Sequence, residues 1–492
     1  MVNNKKKTEA INFVYDKVLS MLSVPSIAED SNLIEGGLSS INIMQISNML
    51  RKYNIRISFA KLIEHPTLRD WNEILHNSQI IKRAPQTVEM KAGGDGDFEL
   101  TDVQSAYFIG RRDDQPLGGV GCHAYLEFDG QNAEAEKLEN AWNTLQRQHP
   151  MLRARFLDNG RQDIMPLPYS EKITIFNLQD FTESESAAEL IAIRNSLSHR
   201  KLKVEQGEVA GISLALLPNK RNRIFLNVDL LVADVLSLSI IVRDLAEVYM
   251  GNTLAVQPEY TFQDYLTSKF SDDFSADDIE KDRVFWEDKL RLLSIEAPDI
   301  PLKTKPELVS KTMFSRRTDI ISKDDWNKIK QIAAEVKVTP SMVLLTCYAL
   351  VLERWCNQDS FFINLPLFNR NLENDKIGNM VADFTSLLLV EYSRKFKEPF
   401  LNTLYRMKDT FLENAAHSNY SGVSVQRDIF TKMGGTLFFA PFVFACNIDY
   451  PLETAVSREA FGNISFMLSQ TPQVWIDFQT YIKPANKKSS TF

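Results

Sequence analysis

The sequence predicts an α+β protein: a small helical bundle followed by a much larger block in which strands and helices alternate. Three observations carry that reading. Residues 81–97, IKRAPQTVEMKAGGDGD, are polar, hold three glycines and a proline, and show no apolar period, which is linker character. Ahead of them, apolar residues recur at helical spacing. Behind them, β-like runs alternate with amphipathic stretches to the end of the 492 residues, an order that builds mixed layers rather than an all-α or all-β core.

In chain order, Ile11, Val14, Tyr15, Val18, Leu19 and Leu22 mark a first helix. After Gly36-Gly37-Leu38, the residues Ile41, Ile43, Met44, Ile46, Met49 and Leu50 mark a second from Ser39 to Tyr53, with Ser39 or Ser40 placed to cap it. Residues 54–65 supply a short third turn, and Pro66-Thr67-Leu68 opens a fourth helix with Thr67 as its cap. In the large block, Ala124–Phe128, Gly211–Leu217 and Arg223–Val228 read as strands. Leu138–Gln148, Ala187–Ser198, Leu236–Met250, Asp325–Val336 and Ser341–Cys356 read as helices.

Composition narrows the function. The chain is 44% hydrophobic and 24% charged, as soluble globular proteins are. A net charge of −8 argues against nucleic acid and against a polybasic membrane surface. Four scattered cysteines imply neither a disulfide framework nor a zinc site, and six scattered histidines show no metal-ligand spacing. No apolar stretch follows the lysines of MVNNKKKTEA, and the longest apolar run, Leu437–Cys446, is short and broken by Pro441. A cytoplasmic protein with no metal, no nucleic acid and no membrane is the expectation.

Two places carry chemistry. Ser40 stands at a helix start after a glycine turn, where a serine is either an N-cap or a modified residue whose phosphodiester meets free N–H groups. Val228-Asp229-Leu-Leu-Val-Ala-Asp234-Val-Leu-Ser237 sets two carboxylates in an apolar run leaving a strand and entering a helix. Burying them is costly unless they are paired. Either Asp234 caps the helix and Asp229 pairs with an arginine, or the pair has a catalytic or substrate-orienting role.

Asn32-Leu-Ile-Glu-Gly-Gly-Leu-Ser-Ser-Ile41 resembles the phosphopantetheine attachment motif of carrier domains, and Ile57 to Trp71 resembles its aryl-carrier branch. Asp229-x-x-x-x-Asp234-x-x-Ser237 resembles the DxxxxDxxS signature of heterocyclization domains of nonribosomal peptide synthetases, a branch of the condensation superfamily that lacks the HHxxxDG histidines. Further segments resemble that family in order: Phe98–Arg111, Leu117–Asp129, Arg147–Arg153, Phe262–Tyr265, Thr339–Ser341, Asn364–Arg370, Asp383–Ser386 and Ser469–Asp477.

The resemblance implies a carrier of four helices over 1–80, a linker over 81–97, and two chloramphenicol-acetyltransferase-like α/β lobes forming a V, over 98–275 and 276–492. It places 4′-phosphopantetheine on Ser40 and a general acid/base at Asp477. Asn364 has either a supporting role or satisfies a strand edge. Asp229, Asp234 and Ser237 organise a tunnel, with an ion pair from one aspartate to Arg370 or Arg111. The implied activity joins a carrier-bound aryl acid, salicylate or 2,3-dihydroxybenzoate, to Cys, Ser or Thr on a partner peptidyl carrier in siderophore assembly, followed by cyclodehydration to thiazoline or oxazoline. A phosphopantetheinyl transferase, an aryl-acid adenylating ligase and other synthetase subunits are the implied partners. The chain departs from the family at four places. Ser39 replaces the aspartate before the modified serine, Ala445-Cys446 replaces Thr-Ser, Phe478 replaces a histidine, and Tyr481–Phe492 reads as a polar tail where the family continues with a strand and a helix. The C-terminal lobe is therefore expected to be short, with an apolar seam exposed. Amide formation is better supported than ring closure, and two alternatives stand beside the full reaction: condensation only, or a non-catalytic carrier and docking module.

Overall fold

The computed structural model describes residues 2–78, except 23, 39, 54, 56 and 58, and residues 96–482, except 255–258, 273–275, 294, 369, 371–376, 433 and 435–437. Ser39, most of the expected linker and the tail beyond residue 482 lie outside the described residues.

The N-terminal bundle has the four helices expected: Val2–Leu22, Ser40–Met49, Phe59–Glu64 and Leu68–Asn77, with a 3₁₀ turn at Leu50–Tyr53. The first starts well before the apolar stripe, because lysine, glutamate and alanine sustain a helix without burying a face. Ala10, Val14 and Val18 from it meet Ile43, Ile46, Leu62, Leu68, Trp71 and Leu75 in a core that excludes solvent. Trp71 is fully buried, and its indole N–H donates to the Leu62 carbonyl at 2.8 Å, which satisfies its only polar atom. Thr67 caps the last helix by accepting from the Asp70 N–H at 3.1 Å. The helix Phe59–Glu64 lies against the helix Phe400–Ala416 of the large block.

The large block has twelve strands among the described residues: β1 (Phe98–Glu99), β2 (His123–Gln131), β3 (Ala154–Phe156), β4 (Arg161–Ile164), β5 (Thr174–Asn177), β6 (Ala210–Leu216), β7 (Arg221–Asp229), β8 (Ser360–Phe368), β9 (Thr385–Ser393), β10 (Phe442–Asn447), β11 (Asn463–Gln470) and β12 (Ile476–Tyr481). They form a small sheet β1-β4-β3, a five-stranded sheet β11-β2-β7-β6-β5 and a four-stranded sheet β12-β10-β8-β9. This is the α+β class expected. The five-stranded sheet and its helices make a first lobe, and the four-stranded sheet and its helices a second.

Both large sheets are covered on two faces, which explains why their strands are apolar without strict alternation. On β2, Ala124, Leu126 and Phe128 enter one core with the helices Ala135–Gln148 and Val235–Tyr249, while Tyr125 enters another with Leu190, Ile193 and Leu197 of the helix Glu183–Ser198. On β9, Leu388 and Val390 face one core and Leu389 the other. The strand β11 comes from late in the chain yet pairs antiparallel with β2, so the first lobe's sheet is completed by a segment that follows the second lobe's β10. No single helix among the described residues is long and apolar enough to cross a membrane.

Candidate active site between the two lobes

Asp229 is the last residue of β7 and Asp234 the N-cap of the next helix, so both carboxylates sit on one tight turn. Asp229 is 0% exposed and Asp234 2%. Arg111 Nη1 reaches Asp229 Oδ2 at 3.1 Å, and Arg370 grips Asp234 with two nitrogens, at 2.7 and 3.2 Å. Each aspartate thus has its own arginine, where the sequence suggested one ion pair. Burial raises the Asp229 carboxyl above its ordinary range against the pull of Arg111.

The signature's third member sits in the first turn of that helix. Asp234 accepts from the Ser237 N–H at 2.7 Å, the usual reach from N-cap to third residue. The Ser237 hydroxyl donates to the Ala382 carbonyl at 2.8 Å, and accepts from the Ala382 N–H at 3.1 Å and from Arg370 at 2.8 Å, which uses its full capacity. Arg370 also donates to the carbonyls of Ile377 and Met380. The spacing Asp-x-x-Ser is therefore the geometry of a latch, holding the loop 377–383 against the first lobe. From the other side, Gln104 of the helix Asp102–Gly110 donates to the Leu231 carbonyl at 2.7 Å, and Arg111 caps the same helix. Opposite Asp229 in the ladder stands His123, bonded to Gln470 at 3.0 Å, and burial pulls its pKa down to about 4, so it is neutral.

The second group lies on the sheet β12-β10-β8. In the parallel register Val443 stands beside Asp477, Ala445 beside Gln479 and Asn447 beside Tyr481, and Asn364 of β8 stands beside Val443. These residues share one face, which meets the first lobe: Tyr481 packs on that lobe's core. Cys446 and Phe478 alternate to the other face, where the Phe478 ring lies 5.1 Å from Tyr348 and 5.8 Å from Phe444. Of the departures near Asp477, only Ala445 is on its face. Cys446 stands in for no missing hydroxyl there. Tyr481 is the last residue of β12, not the first of a tail, and Ile476, Phe478 and Ile482 along this edge are each about two-fifths exposed. Asn364 donates to the Ala440 carbonyl at 2.6 Å and accepts from Gln426, so its amide holds the entry to β10.

Asp477 accepts from Gln479 Nε2 at 2.6 Å on Oδ2, while its buried Oδ1 has no hydrogen-bond partner among the described residues. Burial pushes its pKa up to about 7. Sequence reasoning assigned no role to three further residues here. Asp383, on the loop that Ser237 holds, is 0% exposed, has one oxygen bonded to the Thr385 N–H and the other without a partner, and burial raises its pKa to about 8. The charges of both Asp383 and Asp477 help to raise the pKa values of Tyr107 and Cys122 of the first lobe, and Cys122 lies 3.4 Å from Thr471. Burial drives the Cys122 thiol up, away from thiolate. An isolated acid in a loop carries no sequence signal of such burial.

Asp383 and Asp477, like Asp229, make stability depend on pH. Folded Asp383 binds its proton more tightly than the unfolded residue, whose pKa is 3.8, so stability is greatest below that value and falls as pH rises through the window up to about 8. Asp383→Asn is expected to flatten this fall, read as urea midpoints at about pH 5 and about pH 8. An unchanged slope would mean that Asp383 ionises as freely as in the unfolded chain.

In the N-terminal bundle, the helix beginning at Ser40 follows a turn in which Gly37 has φ +107° and Leu38 is buried. A helix start with free N–H groups suits a phosphodiester on that serine.

A family described as phosphopantetheine attachment site matches residues 13–74, and one described as condensation domain matches residues 96–472. Pyochelin synthetase PchE of Pseudomonas aeruginosa is 35% identical over 468 residues, 94% of this chain and 32% of that protein. Phenyloxazoline synthase MbtB of Mycolicibacterium paratuberculosis is 31% identical over 488 residues, 97% of this chain and 41% of that protein. The chain thus spans about a third of the length of such relatives. The cyclization-docking bidomain of the EpoB nonribosomal peptide synthetase from Sorangium cellulosum superposes with a TM-score of 0.70 at 27% identity, covering 78% of this chain and 77% of that one. The chain belongs to the condensation-domain family, with a phosphopantetheine attachment domain ahead of the condensation domain.

Proposed function

We propose that this chain is the aryl-carrier and heterocyclization portion of a siderophore synthetase. Ser40 holds 4′-phosphopantetheine, which presents an aryl acid, salicylate or 2,3-dihydroxybenzoate, as a thioester. The large block couples that acyl group to the amine of a Cys, Ser or Thr on a partner peptidyl carrier and then closes a thiazoline or oxazoline ring. A phosphopantetheinyl transferase, an aryl-acid ligase and further synthetase subunits serve it. The names of the two relatives above, a pyochelin synthetase and a phenyloxazoline synthase, support an aryl group joined to a ring as the product.

The observation that carries ring closure is Asp477: a half-buried acid with one carboxyl oxygen tied, the other buried and without a partner among the described residues, and a pKa pushed up to about 7. After the side-chain thiol or hydroxyl adds to the amide carbon, that carbon bears a hydroxyl and a ring N–H. Asp477 gives its proton to the departing hydroxyl as the C–O bond breaks, the ring N–H proton passes to the carboxylate, and C=N forms. One water leaves and the acid is restored. Asp229, Asp234, Ser237, Arg111 and Arg370 fix the turn and the loop between the lobes, a positioning role.

Intact-protein mass spectrometry tests the scheme with a phosphopantetheinyl transferase, an aryl-acid ligase and a loaded acceptor carrier. Ser40→Ala is expected to abolish every mass increase on this chain. Modification of that variant would place the arm elsewhere. Ala445, which offers no hydroxyl beside Asp477, favours a second reading in which the chain stops at the linear amide, a product heavier by one water.

A further inference from the structure

Along one face of β12 three side chains two residues apart are joined in sequence. The Tyr481 hydroxyl donates to Gln479 Oε1 at 2.9 Å, and Gln479 Nε2 donates to Asp477 Oδ2 at 2.6 Å. The face is the one turned to the first lobe, and Ala445 stands directly beside Gln479 in the ladder. Because an amide accepts only on oxygen and donates only from nitrogen, the Tyr481 donation fixes which end of Gln479 meets the carboxyl. With Oδ2 occupied by an N–H, the acid proton belongs on Oδ1, the atom with no partner among the described residues. Asn447 stands opposite Tyr481 in the ladder.

We propose that Gln479 and Tyr481 are positioning residues for ring closure: by donating one to the next along β12, they hold the Asp477 carboxyl with Oδ2 tied and Oδ1 as the atom that exchanges protons, in place of the hydroxyl that Ala445 lacks. The support comes from the acid's own strand rather than from the neighbouring one. The assignment rests on the ring-closing role of Asp477 proposed above. It adds two residues that touch no reacting atom and act only through that carboxyl.

The hydrogen bond from Gln479 favours the ionised carboxyl, so its removal raises the Asp477 pKa further, and loss of the Tyr481 hydroxyl frees the amide to turn and does the same to a smaller degree. An infrared difference titration of the carboxyl stretch in the full chain, with the Asp477 band identified by its loss in Asp477→Asn, reads this without any turnover. Gln479→Leu is expected to move the midpoint up by about one pH unit, and Tyr481→Phe by about half of that. Product masses supply the second readout. The cyclic-to-linear ratio is expected to fall about a hundredfold in Gln479→Leu and about tenfold in Tyr481→Phe. A midpoint that stays fixed in both variants, while the Asp477 band itself is seen to titrate, overturns the proposal. Wild-type chain that yields only linear amide overturns ring closure instead, and the titration still decides whether the row controls the carboxyl.

Discussion

Asp477→Asn is expected to shift the product from ring to linear amide, lowering the cyclic-to-linear ratio by about a hundredfold to ten-thousandfold, the usual worth of a positioned acid/base. The amide of asparagine keeps the shape of the side chain and its contact with Gln479 but carries no exchangeable acid proton. The departing hydroxyl then leaves unprotonated. With the wild-type carboxyl titrating near 7, ring closure is also expected to decline as pH rises above that value, since the acid form is the one that donates. Product mass as a function of pH checks both statements. A variant that still makes ring at the wild-type ratio would move the acid elsewhere, and Asp383, a buried acid with a raised pKa and an oxygen without a partner among the described residues, would be next to replace.

Arg370→Ala is expected to destabilise the large block by about 3–5 kcal/mol, because it leaves Asp234 buried without its counter-charge. The loss goes beyond one ion pair. The same guanidinium bonds the Ser237 hydroxyl and the carbonyls of Ile377 and Met380, and lies 4.4 Å from the Phe384 ring. Lysine does not replace it, since a single ammonium cannot match a planar fork that meets four acceptors at once. Removing both charges, Asp234→Leu with Arg370→Leu, is expected to recover part of the loss, the part due to the stranded carboxylate. Urea midpoints of the three variants measure this. A loss below about 1 kcal/mol in Arg370→Ala would mean that water reaches Asp234.

How much of this was legible in the sequence follows from the physics of each element. The helices with a clean apolar stripe were legible, as was the α+β order. The strands of the second sheet were not, since Phe361-Phe362-Ile363 and Leu388-Leu389-Val390 are buried on both faces and carry no alternation to read. Asp229 and Asp234 stood out as two carboxylates in an apolar run, and only their signature and Asp477 were found through resemblance. What the residues do to each other depends on register, which no single sequence shows. It took the pairing of β10 with β12 to separate Ala445, which shares a face with Asp477, from Cys446 and Phe478, which do not. Tyr481 was read as tail because the residues after it are polar, and its place at the end of a strand comes from a ladder made with distant residues.

The late strand β11 has a consequence for how the protein is made. Its partner β2 leaves the ribosome more than three hundred residues before residues 463–470 do. Until they arrive, one margin of the first lobe's sheet stands open, with a row of unpaired N–H and C=O groups along an apolar strand. N-terminal domains ordinarily fold as they emerge, but this lobe waits for a strand that follows more than three hundred residues later. Its nascent state is the one most exposed to misassembly. Once β11 has crossed, a segment lying between β10 and β12 of the second lobe's sheet is built into the first lobe's sheet, and the chain ties the two lobes together.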